Sequence, residues 1–175
     1  MQLIRLLSIT LFLLSSSLVQ ATSTSGYKLG PSDLIKIHVF GENELSLEVR
    51  LTDAGTFTYP FLGEVDSRGL TISDLKDSLT KGLKGDFLIN PKVTVTILEY
   101  RSFFINGEVK KPGGYPFLPG LTVRKAIALA GGFTERAAKK NIRVIHDDSS
   151  STEEKLDLAA EVLPGDIITV DDSFF

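Results

Sequence analysis

The chain of 175 residues contains no cysteine. Without a thiol it can form no disulfide, no thiol-based catalytic centre and no zinc site with cysteine ligands. We also expect that it is not a lipoprotein, because that type of anchor needs a cysteine directly after the cleavage site. A domain without crosslinks must be stabilised by its apolar core, and a hydrophobic content of 42% is sufficient to form one.

Residues and motifs that are typical of catalysis are scarce. The two histidines, His38 and His146, stand alone in strand-like stretches, and we interpret both as residues on a polar strand face. There is no Gly-x-Ser-x-Gly elbow and no phosphate-binding loop of the Walker type. Glycoside hydrolysis needs two carboxylates about 5–10 Å apart, and no pair of acidic residues stands out. We therefore predict no enzymatic activity, no cofactor and no metal ion.

The net charge of the protein limits the kinds of partner that it is expected to bind. The formal net charge is only −3 at pH 7. A mildly acidic protein is poorly suited to bind nucleic acid or an anionic membrane surface, so we predict neither as a partner.

The first 21 residues have the features of a secretory signal peptide. Arg5 is followed by the apolar stretch Leu6–Leu14, and Val19 and Ala21 place small residues at the positions that a signal peptidase recognises. The stretch is shorter than the roughly 20 apolar residues of a membrane-spanning helix. We therefore expect export, with cleavage after Ala21 leaving residues 22–175.

The pattern after the signal peptide predicts an α+β protein with two small β-rich modules, each with one packing helix. Alternating apolar and polar residues, rich in β-branched side chains, predict the strands. These strand-like segments are residues 34–40, 55–60, 93–98, 103–109, 141–146 and 155–158.

Two segments have the apolar spacing of amphipathic helices. Residues 70–84 carry one apolar stripe, and Thr71 with Asp74 has the form of a capping box at the start of the helix. Residues 121–130 carry a second stripe, with Thr122 as the expected N-cap.

Two short sequences resemble each other across the modules. Leu29–Asp33 (LGPSD) and Leu163–Asp166 (LPGD) each precede an alternating apolar run. Because a carboxylate in such a turn accepts backbone N–H bonds, we interpret Asp33 and Asp166 as structural rather than catalytic residues.

An ordered series of motifs resembles the polysaccharide export family, whose members pass capsule polysaccharide and exopolysaccharide out of Gram-negative cells. The motifs are YKLGPSDL at 27–34, DAGTFTYPFLGEV at 53–65, INGEV at 105–109, KPGGY at 111–115, LAGGF at 129–133 and LPGDIITV at 163–170. The resemblance predicts a signal peptide at 1–21, an export domain at 22–99 and a soluble-ligand-binding β-grasp (SLBB) domain at 100–175, the second module being β-grasp-like.

This resemblance implies a role in the periplasm, peripheral to the outer membrane. Relatives assemble as rings around the exported polymer and dock towards an inner-membrane polysaccharide co-polymerase. Larger relatives carry a lipidated cysteine, further β-grasp copies and a C-terminal helix that crosses the outer membrane. This chain stops at Phe175 without them. We therefore expect a separate outer-membrane partner, for example a β-barrel. The alternative is a periplasmic glycan-binding protein that forms no ring.

The candidate binding residues form one segment, residues 110–115. Lys110 and Lys111 supply positive charge, Gly113 and Gly114 leave backbone N–H groups accessible, and Tyr115 offers an aromatic face. We consider them candidate contacts to a glycan or to a neighbouring subunit. The same residues are also typical of a plain turn between strands, and the sequence leaves these interpretations open.

Overall fold

A computed structural model describes residues 26–147 and 153–173. It confirms the predicted α+β fold, with two β-rich modules that each have their own apolar core and one packing helix. The predicted signal peptide lies outside the described residues. No helix in the described ranges is both long enough and apolar enough to cross a membrane.

The first module contains five strands, one 3-10 turn and one helix. In chain order these are β1 (Leu34–Val39), the 3-10 turn (Asn43–Leu45), β2 (Leu47–Arg50), β3 (Thr56–Tyr59), β4 (Gly63–Asp66), α1 (Ile72–Leu83) and β5 (Val93–Glu99). β1 lies between β2 and β5 in an antiparallel sheet, and β3 and β4 form a separate hairpin. The alternation in β1 buries one face of the strand against the apolar stripe of α1. The core residues that meet there are Ile35, Ile37, Val39, Leu75, Leu79 and Leu83.

The predicted capping box at the start of α1 is confirmed. Thr71 Oγ1 accepts a hydrogen bond from the Asp74 backbone N–H at 3.2 Å, and Asp74 Oδ2 accepts one from the Thr71 N–H at 3.1 Å. Hydrogen bonding by Thr71 lowers the pKa of the Asp74 carboxyl, so this cap is complete at neutral pH.

The second module contains a mixed five-stranded sheet. Its elements are β6 (Phe103–Gly107), β7 (Gly113–Tyr115), α2 (Val123–Leu129), β8 (Ala137–Ile145), β9 (Glu154–Leu156) and β10 (Ile167–Asp172). The strand order is β7-β6-β10-β8-β9, in which β10 runs parallel to β6 and antiparallel to β8. The buried residues of α2 pack into the core of this sheet, as in a β-grasp fold.

Part of the segment predicted as a turn at 111–115 is a strand. Gly113–Tyr115 pairs antiparallel with Phe103–Ile105, and the turn itself lies just before it. The pairing overrides the weak strand propensity of two adjacent glycines, because the ring of Phe104 fills the space above Gly114 that a side chain would occupy.

Candidate functional site

A turn closed by a buried aspartate stands before one strand of each module. In the first module Asp33 Oδ2 accepts a hydrogen bond from the Gly30 N–H at 2.9 Å, and in the second Asp166 Oδ2 accepts one from the Leu163 N–H at 2.7 Å. Each aspartate N–H donates back to the carbonyl three residues earlier. The prediction that both carboxylates accept backbone N–H bonds in these turns is confirmed, and the two similar sequences build the same local structure.

The remaining acceptor capacity of Asp33 is used by two further residues. The Tyr27 hydroxyl donates to both carboxylate oxygens, at 2.7 and 2.9 Å, and the Arg101 backbone N–H donates at 2.8 Å. Burial, reinforced by this hydrogen bond, raises the pKa of Tyr27 far above its usual value. The phenol therefore stays protonated and remains a donor at any physiological pH.

The second aspartate is paired with a histidine. His146 Nδ1 lies 2.7 Å from Asp166 Oδ1, and the histidine side chain is only 22% exposed. The interpretation of His146 as a polar-face residue is therefore wrong, because the turn before β10 brings a buried carboxylate against the end of β8. His38 does lie on the exposed face of β1, with Nδ1 3.2 Å from Ser46 Oγ.

Arg101, in the linker between β5 and β6, connects the two aspartate turns. Its Nη1 donates to the Tyr27 hydroxyl at 2.7 Å, and its Nε lies 3.0 Å from Asp147 Oδ2 in the second module. A Cβ atom added at Gly30 would lie 2.5 Å from Nη1, and one added at Gly165 would lie 2.7 Å from Nε. One glycine in each turn therefore makes room for a single guanidinium, which ties the two modules together.

A cavity of about 390 Å³ opens at this contact between the modules, and we call it the junction cavity. Three aromatic rings line it, with ring centroids 5.1 Å apart for Tyr27 and Tyr100 and 5.3 Å apart for Tyr100 and Phe117. Both pairs are edge to face. The charged residues of the lining are Lys28, Arg101, Asp147, Glu161 and Asp166.

The predicted segment at 110–115 lies outside the junction cavity. The backbone N–H groups of Lys110 and Lys111 donate to carbonyls just after α2, those of Gly132 and Ala130, at 3.0 and 2.9 Å, while both side chains are exposed. The Tyr115 hydroxyl donates to the Lys111 carbonyl at 2.6 Å, and its ring packs on Phe103. The structure thus gathers these residues in one hairpin, and their contact with a glycan or a subunit stays a prediction.

Gly113 and Gly114 occupy the strand edge of that hairpin. Gly113 has a φ of 153°, and both residues are at least partly accessible. The Phe104 N–H donates to the Asp166 carbonyl on the β10 side, so the ladder with β7 is made by Gly113 and Tyr115, which lie opposite Ile105 and Phe103. The sheet therefore takes part of the backbone that was predicted to contact a ligand.

The first module carries an acidic groove with an apolar floor. Glu42, Glu44 and Asp86 line it together with Phe61 and Phe87, whose rings stack with centroids 4.9 Å apart. Phe61 is 67% exposed although it is a large apolar residue. An exposed stacked pair ringed by charge is typical of a protein contact surface.

The second module carries a basic groove. Arg124, Lys139, Lys140 and Lys155 line it, against a single carboxylate from Asp157. The described residues contain no group of three or more histidine, aspartate or glutamate side chains placed to hold a metal ion.

We expect Gly30→Ala to destabilise the protein by about 1–3 kcal/mol, because the new methyl group collides with the Arg101 guanidinium. The φ of Gly30 lies outside the left-handed region, so the backbone itself tolerates alanine. In an Arg101→Ala background we expect most of that cost to disappear. Urea denaturation of the wild type, the two single variants and the double variant gives the coupling energy between Gly30→Ala and Arg101→Ala.

Gly26→Ala is the matched control, since no atom lies near the added methyl group. Equal costs of Gly30→Ala with and without Arg101 would contradict the proposed packing.

Each of the two modules is similar to a different known domain family. The polysaccharide biosynthesis/export protein family matches residues 21–98, and the SLBB domain family matches residues 102–154. The exopolysaccharide production protein ExoF of Rhizobium meliloti (strain 1021) is 29% identical over 147 residues, covering 77% of this chain and 34% of ExoF. The chain therefore spans about a third of that relative's length. The matches to these two domain families, in this order, and the similarity to ExoF confirm that the chain resembles the polysaccharide export family, with a segment similar to an export domain followed by a segment similar to an SLBB domain.

Proposed function

We propose that this protein is a non-catalytic, ring-forming component of a machine that carries exopolysaccharide across the cell envelope. Similarity to the polysaccharide export family supports a role in export, and the name of the relative ExoF supports exopolysaccharide as the polymer. The observation that carries the ring is the presence of an acidic groove on one module and a basic groove on the other.

A ring of identical subunits closes through head-to-tail contacts, so each subunit needs two different surfaces that complement each other. The acidic groove offers three carboxylates around the stacked Phe61 and Phe87, and the basic groove offers four cations. Opposite charge selects this pairing over contacts between two like grooves. The Arg101 contact between the modules holds the two grooves at a defined angle, which determines how many subunits close the ring.

The location and partners follow from the same proposal. The protein acts in the periplasm, peripheral to the outer membrane, after removal of the signal peptide at 1–21. Its export domain spans 22–99 and its SLBB domain 100–175. It works with an inner-membrane polysaccharide co-polymerase and with a separate outer-membrane partner, and the polysaccharide passes through the ring.

A second function is favoured by a different observation. The junction cavity, with its aromatic and charged walls, suits a periplasmic glycan-binding protein that forms no ring. Saturable sugar binding by a stable monomer would favour this alternative.

Deletion of the gene from its host tests the export role. We expect extracellular polysaccharide to fall several-fold while lipid-linked repeat units are still made, because synthesis precedes export. Complementation with the wild-type gene restores secretion. Unchanged secretion in the deletion strain would contradict the proposal, and loss of the repeat units themselves would indicate a role in synthesis.

A further inference from the structure

We propose that the junction cavity binds one neutral pyranose unit of a polysaccharide. This inference rests on the proposed role in handling polysaccharide and adds a sugar site that lies outside the predicted 110–115 segment. A volume of about 390 Å³ falls within the range of small-molecule sites.

The aromatic walls supply the first part of the recognition. Tyr27, Tyr100 and Phe117 are each half-buried, so their rings are held by packing yet remain accessible from the cavity. The negative face of an aromatic ring attracts the weakly positive C–H groups on the apolar face of a pyranose. The edge-to-face contacts set neighbouring rings at interplanar angles of 76° and 71°, so the three rings form an angled wall and not one flat platform.

The polar groups supply the second part. Sugar hydroxyls both donate and accept, so a sugar site needs hydrogen-bond acceptors and donors together, and charged groups make the stronger bonds. The Asp147 and Glu161 side chains are exposed acceptors on the cavity wall. Arg101 Nε already lies 3.0 Å from Asp147 Oδ2, so it is engaged in that ion pair. The exposed ammonium group of Lys28 on the cavity wall supplies a donor for a ligand hydroxyl.

The charge of the lining selects a neutral sugar over an acidic one. Two cations, Lys28 and Arg101, face three carboxylates, Asp147, Glu161 and Asp166. Arg101 is also paired with the buried Asp33. The cavity therefore carries no surplus positive charge for a uronate, whose carboxylate would lie near like charges.

Saturation-transfer difference NMR on the mature chain tests the site, with glucose, galactose, mannose and glucuronate as probes. This method observes the sugar protons and works for the protein alone or in a large assembly. We expect at least one neutral hexose to bind with millimolar affinity. Phe117→Ala and the nearly isosteric Glu161→Gln should each weaken that binding at least tenfold.

Phe87→Ala is the matched control, since it removes a half-exposed ring in the acidic groove and should leave sugar binding unchanged. Thermal melting verifies that each variant is folded, and Glu161→Gln preserves the test if Phe117→Ala unfolds. Absence of a signal from every neutral hexose, binding of glucuronate alone, or unchanged binding in Glu161→Gln would each overturn the proposal. The solution mass of each variant distinguishes failure of the sugar site from failure of the proposed ring. A variant that loses sugar binding but still assembles leaves the proposed function intact.

Discussion

Replacing Asp33 with alanine should lower the free energy of unfolding by about 3–5 kcal/mol. The carboxylate is completely buried and accepts hydrogen bonds from the Tyr27 hydroxyl, the Gly30 N–H and the Arg101 N–H. Its removal leaves these donors unpaired and takes a counter-charge away from the Arg101 guanidinium, 3.6 Å distant. Urea denaturation with linear extrapolation measures the change.

Asp33→Asn separates charge from shape in this network. The amide keeps the volume and one acceptor oxygen but loses the charge, so we expect a smaller loss than with alanine. Asp77→Ala on α1 is the control, because Asp77 is 69% exposed and should change stability by no more than about 0.5 kcal/mol. A cost below about 1 kcal/mol for Asp33→Ala would contradict the claim that this carboxylate organises the contact between the modules.

Reversing the charge of the basic groove should break the contact between subunits. We expect the double variant Arg124→Glu with Lys140→Glu to weaken self-association at least about a hundredfold, since like charges across an interface cost several kcal/mol. Both side chains are exposed, so the thermal stability of the subunit should be nearly unchanged. Sedimentation velocity measures the association.

Two further double variants provide the control and the partner for a rescue experiment. Lys81→Glu with Lys84→Glu changes the net charge equally at exposed positions outside both grooves and should leave association intact. The reciprocal variant, Glu42→Lys with Asp86→Lys, should fail to associate alone.

Mixing the two reversed variants restores complementary charge at every contact of an alternating ring. Association that is insensitive to both reversals, or that mixing does not restore, would show that the grooves are not the interface.

Local patterns were sufficient to predict the main elements. The period-two alternation of β1, the stripe of α1 and the capping box at Thr71 are all dictated by near neighbours in sequence. β4 was missed because three of its four side chains are exposed, which leaves no alternation to detect. β2 does alternate between half-buried and exposed residues, but a run of only four residues is a weak signal. β7 was missed because two glycines signal a turn unless the partner strand is known.

The contact between the modules lies beyond what local sequence predicts. The sequence predicts both aspartate turns. Nothing in the sequence of either turn indicates that the Arg101 side chain packs against both of them. The two glycines that make room for it, Gly30 and Gly165, look like ordinary turn residues. His146 was misassigned for the same reason, since its partner Asp166 is brought to it only by the pairing of β8 with β10.

The solution mass of residues 22–175, measured by light scattering over a wide range of protein concentration, tests the central claim most directly. The account predicts a closed assembly of defined mass that dissociates as salt concentration rises, because the contact is largely electrostatic. A strict monomer at the highest concentration and lowest salt would contradict the head-to-tail ring and favour the glycan-binding alternative.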